Sequence, residues 1–341
     1  MDKKDIGLLF GGKSAEHEVS LMSARSVYEF ADRNKYNIYP IAVDNEGNWL
    51  TREESKKIIE DNDLKKVPSH NLQLKDKGLN NFLENDYDVI FPLIHGPYGE
   101  DGKIQGFFEL LEIPYVGANV LGSSIGMDKG IMKKLFKYNG LKQAEFITIK
   151  HFAENKLDKI NSFIDKFGLP IFIKPANLGS SIGISKVSKK EDLKTAIHNA
   201  FKYDNKIIVE RALQAREIEC SVLGKNKFKA SLPGEIIPSH DFYDYSSKYQ
   251  DQKTKLIIPA KINEKLTKEI QEMAIKAFEI IEGEGLARVD FFLANNEIYI
   301  NEINTIPGFT KYSMYPKLWD ATGLSYSNLI DELINIALDE T

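Results

Sequence analysis

The chain has 341 residues with 45 basic and 50 acidic side chains. The resulting charge of −5 at pH 7 argues against a chain-wide nucleic-acid-binding role, which needs a basic surface or stripe. Hydrophobic residues at 42% and charged residues at 28% exclude a disordered chain, and the single cysteine, Cys220, excludes an intrachain disulfide and a cysteine zinc cluster.

In chain order, residues 6–10 (IGLLF) form a short apolar run closed by Gly11 and Gly12, which reads as a buried strand ending in a tight turn. That run is too short for a signal-peptide core, and no later run approaches the ~20 apolar residues of a membrane span, so a cytoplasmic location is expected. Ser14 is placed to cap a helix through Val19, Val27 and Phe30. Residues 37–43 read as a second strand, with Pro40 marking an edge or a bulge, and residues 88–94 read as a third. The polar stretch 51–85 looks peripheral. Strands alternating with helices predict a mostly parallel sheet. Glycines and serines cluster at 117–126, a plausible domain seam, and a helix follows near 127–136. The middle third reads as a strand at 170–174, a glycine loop, a strand at 184–187, a helix over 190–203 and a strand at 206–210. The last third is strand-rich (217–223, 227–232, 235–238, 287–302), with helices over 264–282 and 325–338. The class is α/β (α+β), in three units: 1–119, 120–211 and 212–341.

Five constellations carry possible chemistry. Lys174 is delivered by an apolar strand and followed by Gly179, Ser180, Ser181 and Gly183. Glycines admit an anion close to backbone N–H groups, and lysine adds a charge. The order is not that of a P-loop, and a solvated turn is the alternative. In residues 288–290 and 302–304, Arg288 shares a strand face with Asp290, and Glu302 with Asn304; the latter face is expected to continue back to Ile300. Acidic and amide side chains in apolar strands are costly unless paired or metal-bound, and hard oxygens of this kind suit Mg²⁺. An arginine–carboxylate pair on the wet face of a hairpin is the alternative. A shared metal site puts Asp290 and Glu302 on one face, which demands a three-residue loop at 295–297 or a bulge.

His95, Glu100 and Asp101 lie among glycines just after a strand, where open α/β sheets bind ligands; a plain turn is the alternative. Glu16 follows Gly11, Gly12 and Ser14 at a helix start. This is not a dinucleotide fingerprint, and Glu16 could simply complement the helix dipole. Residues 240–249 carry Phe242, Tyr243, Tyr245 and Tyr249 without a clear period and read as a loop that covers a site or as a surface loop.

Taken in order, the segments GGKSAEHEVSL, HGPYGEDGKIQG, GSSIGMDK, FIKPANLGSSIGISKV, IVERALQAREIE, FYDYSSKY, ARVDFF and NEINTIPGFTKYSMYP resemble the D-alanine:D-alanine ligases of the ATP-grasp superfamily over nearly the whole chain. The resemblance implies a three-domain ATP-grasp architecture with an N-terminal open sheet, a covering loop at 239–255, ATP as co-substrate and two Mg²⁺ (or Mn²⁺) ions. The implied reaction joins two D-alanines through an acyl phosphate to give the dipeptide of peptidoglycan precursors. It implies that Lys129 and Lys174 hold ATP phosphates, that Lys248 reaches the γ-phosphate, and that Glu210 and Glu217 hold the adenine-side and ribose groups. Asp290, Glu302 and Asn304 are implied as metal ligands. Glu16 is implied to pair with the first D-alanine's ammonium, with His95 in the same subsite, and Arg288 with the Gly308 N–H to form an oxyanion hole. Ser180, Tyr249 and Glu16 match a trio closing the loop, and Ser313 and Met314, with Ser181 nearby, match the second substrate's carboxylate subsite. The family further implies a homodimer acting on small molecules, with no nucleic acid or membrane partner.

The departures are His17 where arginine is frequent, serines before Lys248, and Met314 where leucine is common. Relatives using D-lactate lack the Lys-Tyr end of the covering loop, so Tyr249 favours the dipeptide. D-serine or D-lactate as second substrate is the alternative, as is an ATP-grasp module that binds nucleotide without catalysis. A nicotinamide enzyme is suggested only by the first strand and Gly11-Gly12, and the missing third glycine counts against it.

Overall fold

A computed structural model describes residues 3–61, 75–238 and 254–339. β1 (Lys4–Gly11), β2 (Tyr36–Val43) and β3 (Val89–Pro92) form a parallel sheet in the order β2-β1-β3. Ile6, Leu8, Leu9 and Phe10 of β1 are all buried, as expected where a parallel strand is covered on both faces. β2 is an end strand of this sheet, the edge position that Pro40 tolerates. The stretch read as peripheral contributes the helices Arg52–Glu60 and Lys75–Leu83. Thr51 and Glu54 close a capping box, and Ser55, Ile59 and Phe82 are buried. A few inward residues suffice to seat a helix whose other face is charged.

β4 (Phe146–Lys150), β5 (Ile171–Pro175), β6 (Ser185–Val187) and β7 (Lys206–Arg211) form an antiparallel sheet in the order β4-β7-β5-β6. The helices Lys156–Phe167 and Leu193–Phe201 bury Ile160, Phe163, Ile164 and Ile197 against Ile171, Ile173, Ile207 and Val209. The third sheet is also antiparallel. It comprises β8 (Arg216–Gly224), β9 (Phe228–Ala230), β10 (Gly234–Ile237), β11 (Lys255–Ile257), β12 (Gly285–Ala294) and β13 (Glu297–Asn304). Its order is β11-β10-β8-β12-β13, with β9 beside β8, and the helix Glu264–Ile280 packs into its core.

The glycine–serine stretch largely forms the helix Val120–Met127, capped by Asn119. Its small residues serve close packing: a Cβ on Gly126 would meet Thr305 Cγ2 at 2.9 Å, and one on Gly122 would meet the Glu282 carbonyl at 3.1 Å. Asp128 then caps a second helix, Lys129–Tyr138, whose Met132 and Phe136 enter the core of the third sheet. The last helix, Tyr326–Ala337, returns to the N-terminal core beside Ile6, Leu8 and Phe91.

The β12–β13 hairpin settles the register question. Ala294 pairs with Glu297 across a two-residue Asn295-Asn296 turn, with both φ values positive at 52° and 61°, as a tight hairpin turn requires. Pairing then slips: Phe291 faces Ile300, whereas Asp290 faces Glu302. Asn301 is the extra residue of a β-bulge, which resets the phase. Asp290 and Glu302 therefore share a face through the bulge and not through a longer loop. The bulge also overturns the expectation for Ile300, which is fully buried on the core side while Glu302 and Asn304 face away from it.

Candidate active site

Three loops meet at Glu16. It stands immediately before the helix His17–Phe30, and Ser180 Oγ donates to its Oε1. A Cβ on Gly96 would come within 2.8 Å of Glu16 Oε2, and one on Gly179 within 3.3 Å, so glycine is what allows both loops to close on this carboxylate. Ser180 and Ser181 adopt φ of 50° and 59°, a left-handed backbone that costs non-glycine residues roughly 1 kcal/mol or more each. The loop is anchored at its start, where the Asn177 backbone and side-chain amides donate to Asp204 Oδ2 at 2.7 and 2.9 Å.

His95 is 2% exposed. Its Nδ1 lies 2.9 Å from the Ile306 carbonyl and its Nε2 3.2 Å from Ser23 Oγ. A carbonyl only accepts, so Nδ1 carries the proton and Nε2 accepts from the serine. Burial lowers the pKa of His95 against the raising influence of Glu16. Both ring nitrogens are thus committed within the protein. Glu100 Oε1 accepts from the Gly96 N–H at 2.8 Å. Burial, with the charge of Glu16, pushes its carboxyl up to about 8.

On the central sheet Glu210 is clamped between two lysines: Lys174 Nζ at 2.5 Å and Lys133 Nζ at 2.6 Å. Burial works against the ionised glutamate, yet the two lysines hold its pKa below the usual range. Burial likewise opposes the charge on Lys174, but Glu210 and Glu302 outweigh it and the pKa rises. For Lys133, 1% exposed, burial wins and the pKa falls. Lys129 Nζ reaches Glu302 Oε2 at 3.1 Å and donates to the Leu178 carbonyl at 3.0 Å. Glu217 sits half-buried on β8 opposite Phe292, and its charge acts on Lys174.

On the third sheet Glu219, Asp290 and Glu302 are direct neighbours across β8, β12 and β13. Arg288 grips Asp290 with two bonds at 2.7 and 2.8 Å and lies 3.0 Å from Glu219. Asn304 Nδ2 donates to Asp290 Oδ2 at 3.0 Å. Among the described residues no three His, Cys, Asp or Glu side chains gather as a metal cage. Beyond β13, Ser313 precedes the helix Met314–Ala321. Its Oγ accepts from the Thr310 N–H at 3.1 Å and would lie 3.2 Å from a Cβ on Gly308. The Met314 side chain turns into a small core with Ile236 and Leu318. Lys248 and Tyr249 lie outside the described residues.

The family described as "D-ala D-ala ligase C-terminus" matches residues 135–335, and "D-ala D-ala ligase N-terminus" matches residues 5–118. The chain belongs to the D-Ala–D-Ala ligase family. It is 52% identical over 343 residues to a D-alanine–D-alanine ligase of Halothermothrix orenii, with 100% of each chain covered. It is 47% identical to one of Thermoanaerobacter sp., covering 99% of this chain and 98% of the relative. Among solved structures it resembles the D-alanine-D-alanine ligase of Coxiella burnetii, with TM-score 0.85, 35% identity, and 100% and 95% of the two chains covered. It also resembles the VanG D-Ala:D-Ser ligase of Enterococcus faecalis, with TM-score 0.84, 35% identity, and 98% and 100% covered.

Within this ligase fold the motif reading passed over two charged residues. Lys133 lies four residues after Lys129, on the same helix face, and that spacing was the available signal. Glu219 lies two after Glu217 on one strand face.

Proposed function

We infer that this chain is an ATP-dependent ligase that joins two D-alanines into D-alanyl-D-alanine, the dipeptide of peptidoglycan precursors. The observation that carries the reading is the Ser180–Glu16 bond, which ties the glycine loop after Lys174 to the carboxylate of the N-terminal domain. A triphosphate site and an amino-acid site thereby become neighbours. The reading keeps three units (1–119, 120–211, 212–341), a cytoplasmic location and a homodimer. Among the described residues no helix is long and apolar enough to cross a membrane.

Glu16 accepts the ammonium of the first D-alanine, leaving its carboxylate to attack the γ-phosphorus while the bond to ADP breaks. Lys129 and Lys174 leave their carboxylate partners for phosphate oxygens, with Lys248 on the γ-phosphate and with Glu210 and Glu217 at the nucleoside. Asp290, Glu302 and the amide oxygen of Asn304 are hard donors on one sheet face and would hold Mg²⁺ or Mn²⁺, the rest of whose ligands would come from phosphates and water. Two such ions would neutralise charge on the transferring phosphoryl. The second D-alanine places its carboxylate at Ser313 and the Met314 N–H, near Ser181, at a helix start suited to anions. Its amine attacks the acyl carbon, Arg288 and the Gly308 N–H take the developing oxyanion, and phosphate leaves. Tyr249 completes the closure with Ser180 and Glu16.

One observation supports a second reading: a D-Ala:D-Ser ligase is as similar in sequence, at 35%, as the D-alanine–D-alanine ligase of Coxiella burnetii. Mass spectrometry of products from D-alanine alone, then with equimolar D-serine and D-lactate, separates these outcomes. The expected product is D-alanyl-D-alanine, with ADP release that requires D-alanine and Mg²⁺. Folded protein that binds ATP yet shows no D-alanine-dependent turnover overturns the reading in favour of a nucleotide-binding module.

A further inference from the structure

A glycine is the residue least able to fix the direction of its own N–H, yet an oxyanion donor must be held in place before the reaction to be effective. Among the described residues nothing accepts the Gly308 N–H. The peptide planes around it, by contrast, are fastened. The Ile306 carbonyl receives His95 Nδ1–H at 2.9 Å. The Phe309 N–H donates to Ser23 Oγ at 3.2 Å, and the same oxygen is 3.2 Å from His95 Nε2. The Phe309 carbonyl accepts from the Tyr326 hydroxyl at 2.6 Å. Pro307 fixes its own φ. The Phe309 ring is fully buried, with centroids 5.5 Å from Phe91, 5.8 Å from Tyr315 and 5.6 Å from Tyr326.

We propose that Ser23 and Tyr326 are positioning residues that aim the Gly308 N–H into the site by pinning the peptides on its C-terminal side, with His95 pinning the N-terminal side. Neither Ser23, from the helix His17–Phe30, nor Tyr326, from the last helix, supplies a charge or a ligand. The last helix thus reaches the chemistry through one hydroxyl. The proposal rests on the reading of Gly308 as an oxyanion donor.

The test uses Ser23→Ala and Tyr326→Phe in the full chain. Each removes one oxygen and keeps the packing shape; His95 is left intact because it adjoins Glu16. Three quantities are read: kcat, KM for ATP and for D-alanine, and affinity for a phosphinate dipeptide analogue whose tetrahedral phosphorus mimics the intermediate. The dipeptide product serves as the ground-state control. Each variant is expected to lose about 5- to 30-fold in kcat, below the 10²–10³ of losing a donor outright. The phosphinate is expected to weaken by a matching factor, with ATP KM and product affinity within about twofold. Unchanged kcat and phosphinate affinity in both variants, or an equal loss of every affinity, overturns the positioning role. Wild-type protein that neither turns over D-alanine nor binds the phosphinate instead overturns the ligase reading itself.

Discussion

Glu100 offers the sharpest physical test of the site. Its carboxyl sits at about 8, against 4.5 for an ordinary glutamate, because burial and the charge of Glu16 disfavour ionisation. In the folded chain it therefore stays protonated at pH 7, while in the unfolded chain it ionises. A carboxyl whose folded pKa is raised costs nothing below pH 4.5 and costs progressively more as the pH climbs to 8. At pH 7 the gap from 4.5 corresponds to roughly 3 kcal/mol, levelling off near 5 kcal/mol above pH 8 at 1.36 kcal/mol per unit. These are upper values, since the side chain keeps 15% exposure. Glu100→Gln removes the titration while its amide oxygen can still accept the Gly96 N–H. The variant is expected to melt with the wild type near pH 4.5 and increasingly above it up to pH 8. Melting curves of both proteins at half-unit intervals measure this. Parallel curves across that range, or a glutamine variant that is less stable at pH 8, refute the argument.

Glu302→Gln should lower turnover about 100-fold or more by removing a metal ligand; near-wild-type turnover contradicts the metal role. Lys133→Met should raise the KM for ATP about tenfold or more with the KM for D-alanine within twofold, and cost up to about 3 kcal/mol of stability by leaving buried Glu210 with one partner; steady-state kinetics with each substrate varied decides it, and an unchanged ATP KM rejects it. Tyr249→Phe should shift product choice between amine and hydroxyl nucleophiles in D-alanine/D-lactate competition, and an unchanged product ratio counts against the covering-loop trio.

Legibility in the sequence followed period and burial cost. The strand at β1 and its glycine turn were readable because a short apolar run closed by two glycines has few alternatives. The β12–β13 pair was readable because polar side chains recur at spacing two among apolar ones. What could not be read was where phase breaks: the bulge at Asn301 is set by pairing between strands, not by any local signal, and so Ile300 was placed on the wrong face. The helix Val120–Met127 was hidden because its glycines and serines resemble a loop until the close approach of Thr305 and Glu282 is known. Lys133 was passed over because lysine is nearly always a surface residue, and only the partner Glu210, 77 positions along the chain, makes its burial possible.

The resting electrostatics of the site constrain how it can load. Lys174 and Lys133 rest on Glu210, Lys129 rests on Glu302, and Arg288 rests on Asp290 and Glu219. These charges are largely out of water, so none can be stripped of its partner without a desolvation cost of several kcal/mol. If Lys129 turned to a phosphate oxygen, a cation on Glu302 would replace its charge, and if Asp290 took a cation, Arg288 would keep Glu219. Free nucleotide alone would draw Lys129 away from Glu302 beside incoming phosphates. A divalent cation alone would leave Lys129 without an anion. On the proposed ligand set, arrival of the two together would exchange partner for partner at Lys129 and Glu302, and the network that neutralises the site at rest would bias it toward the metal–nucleotide complex over either component.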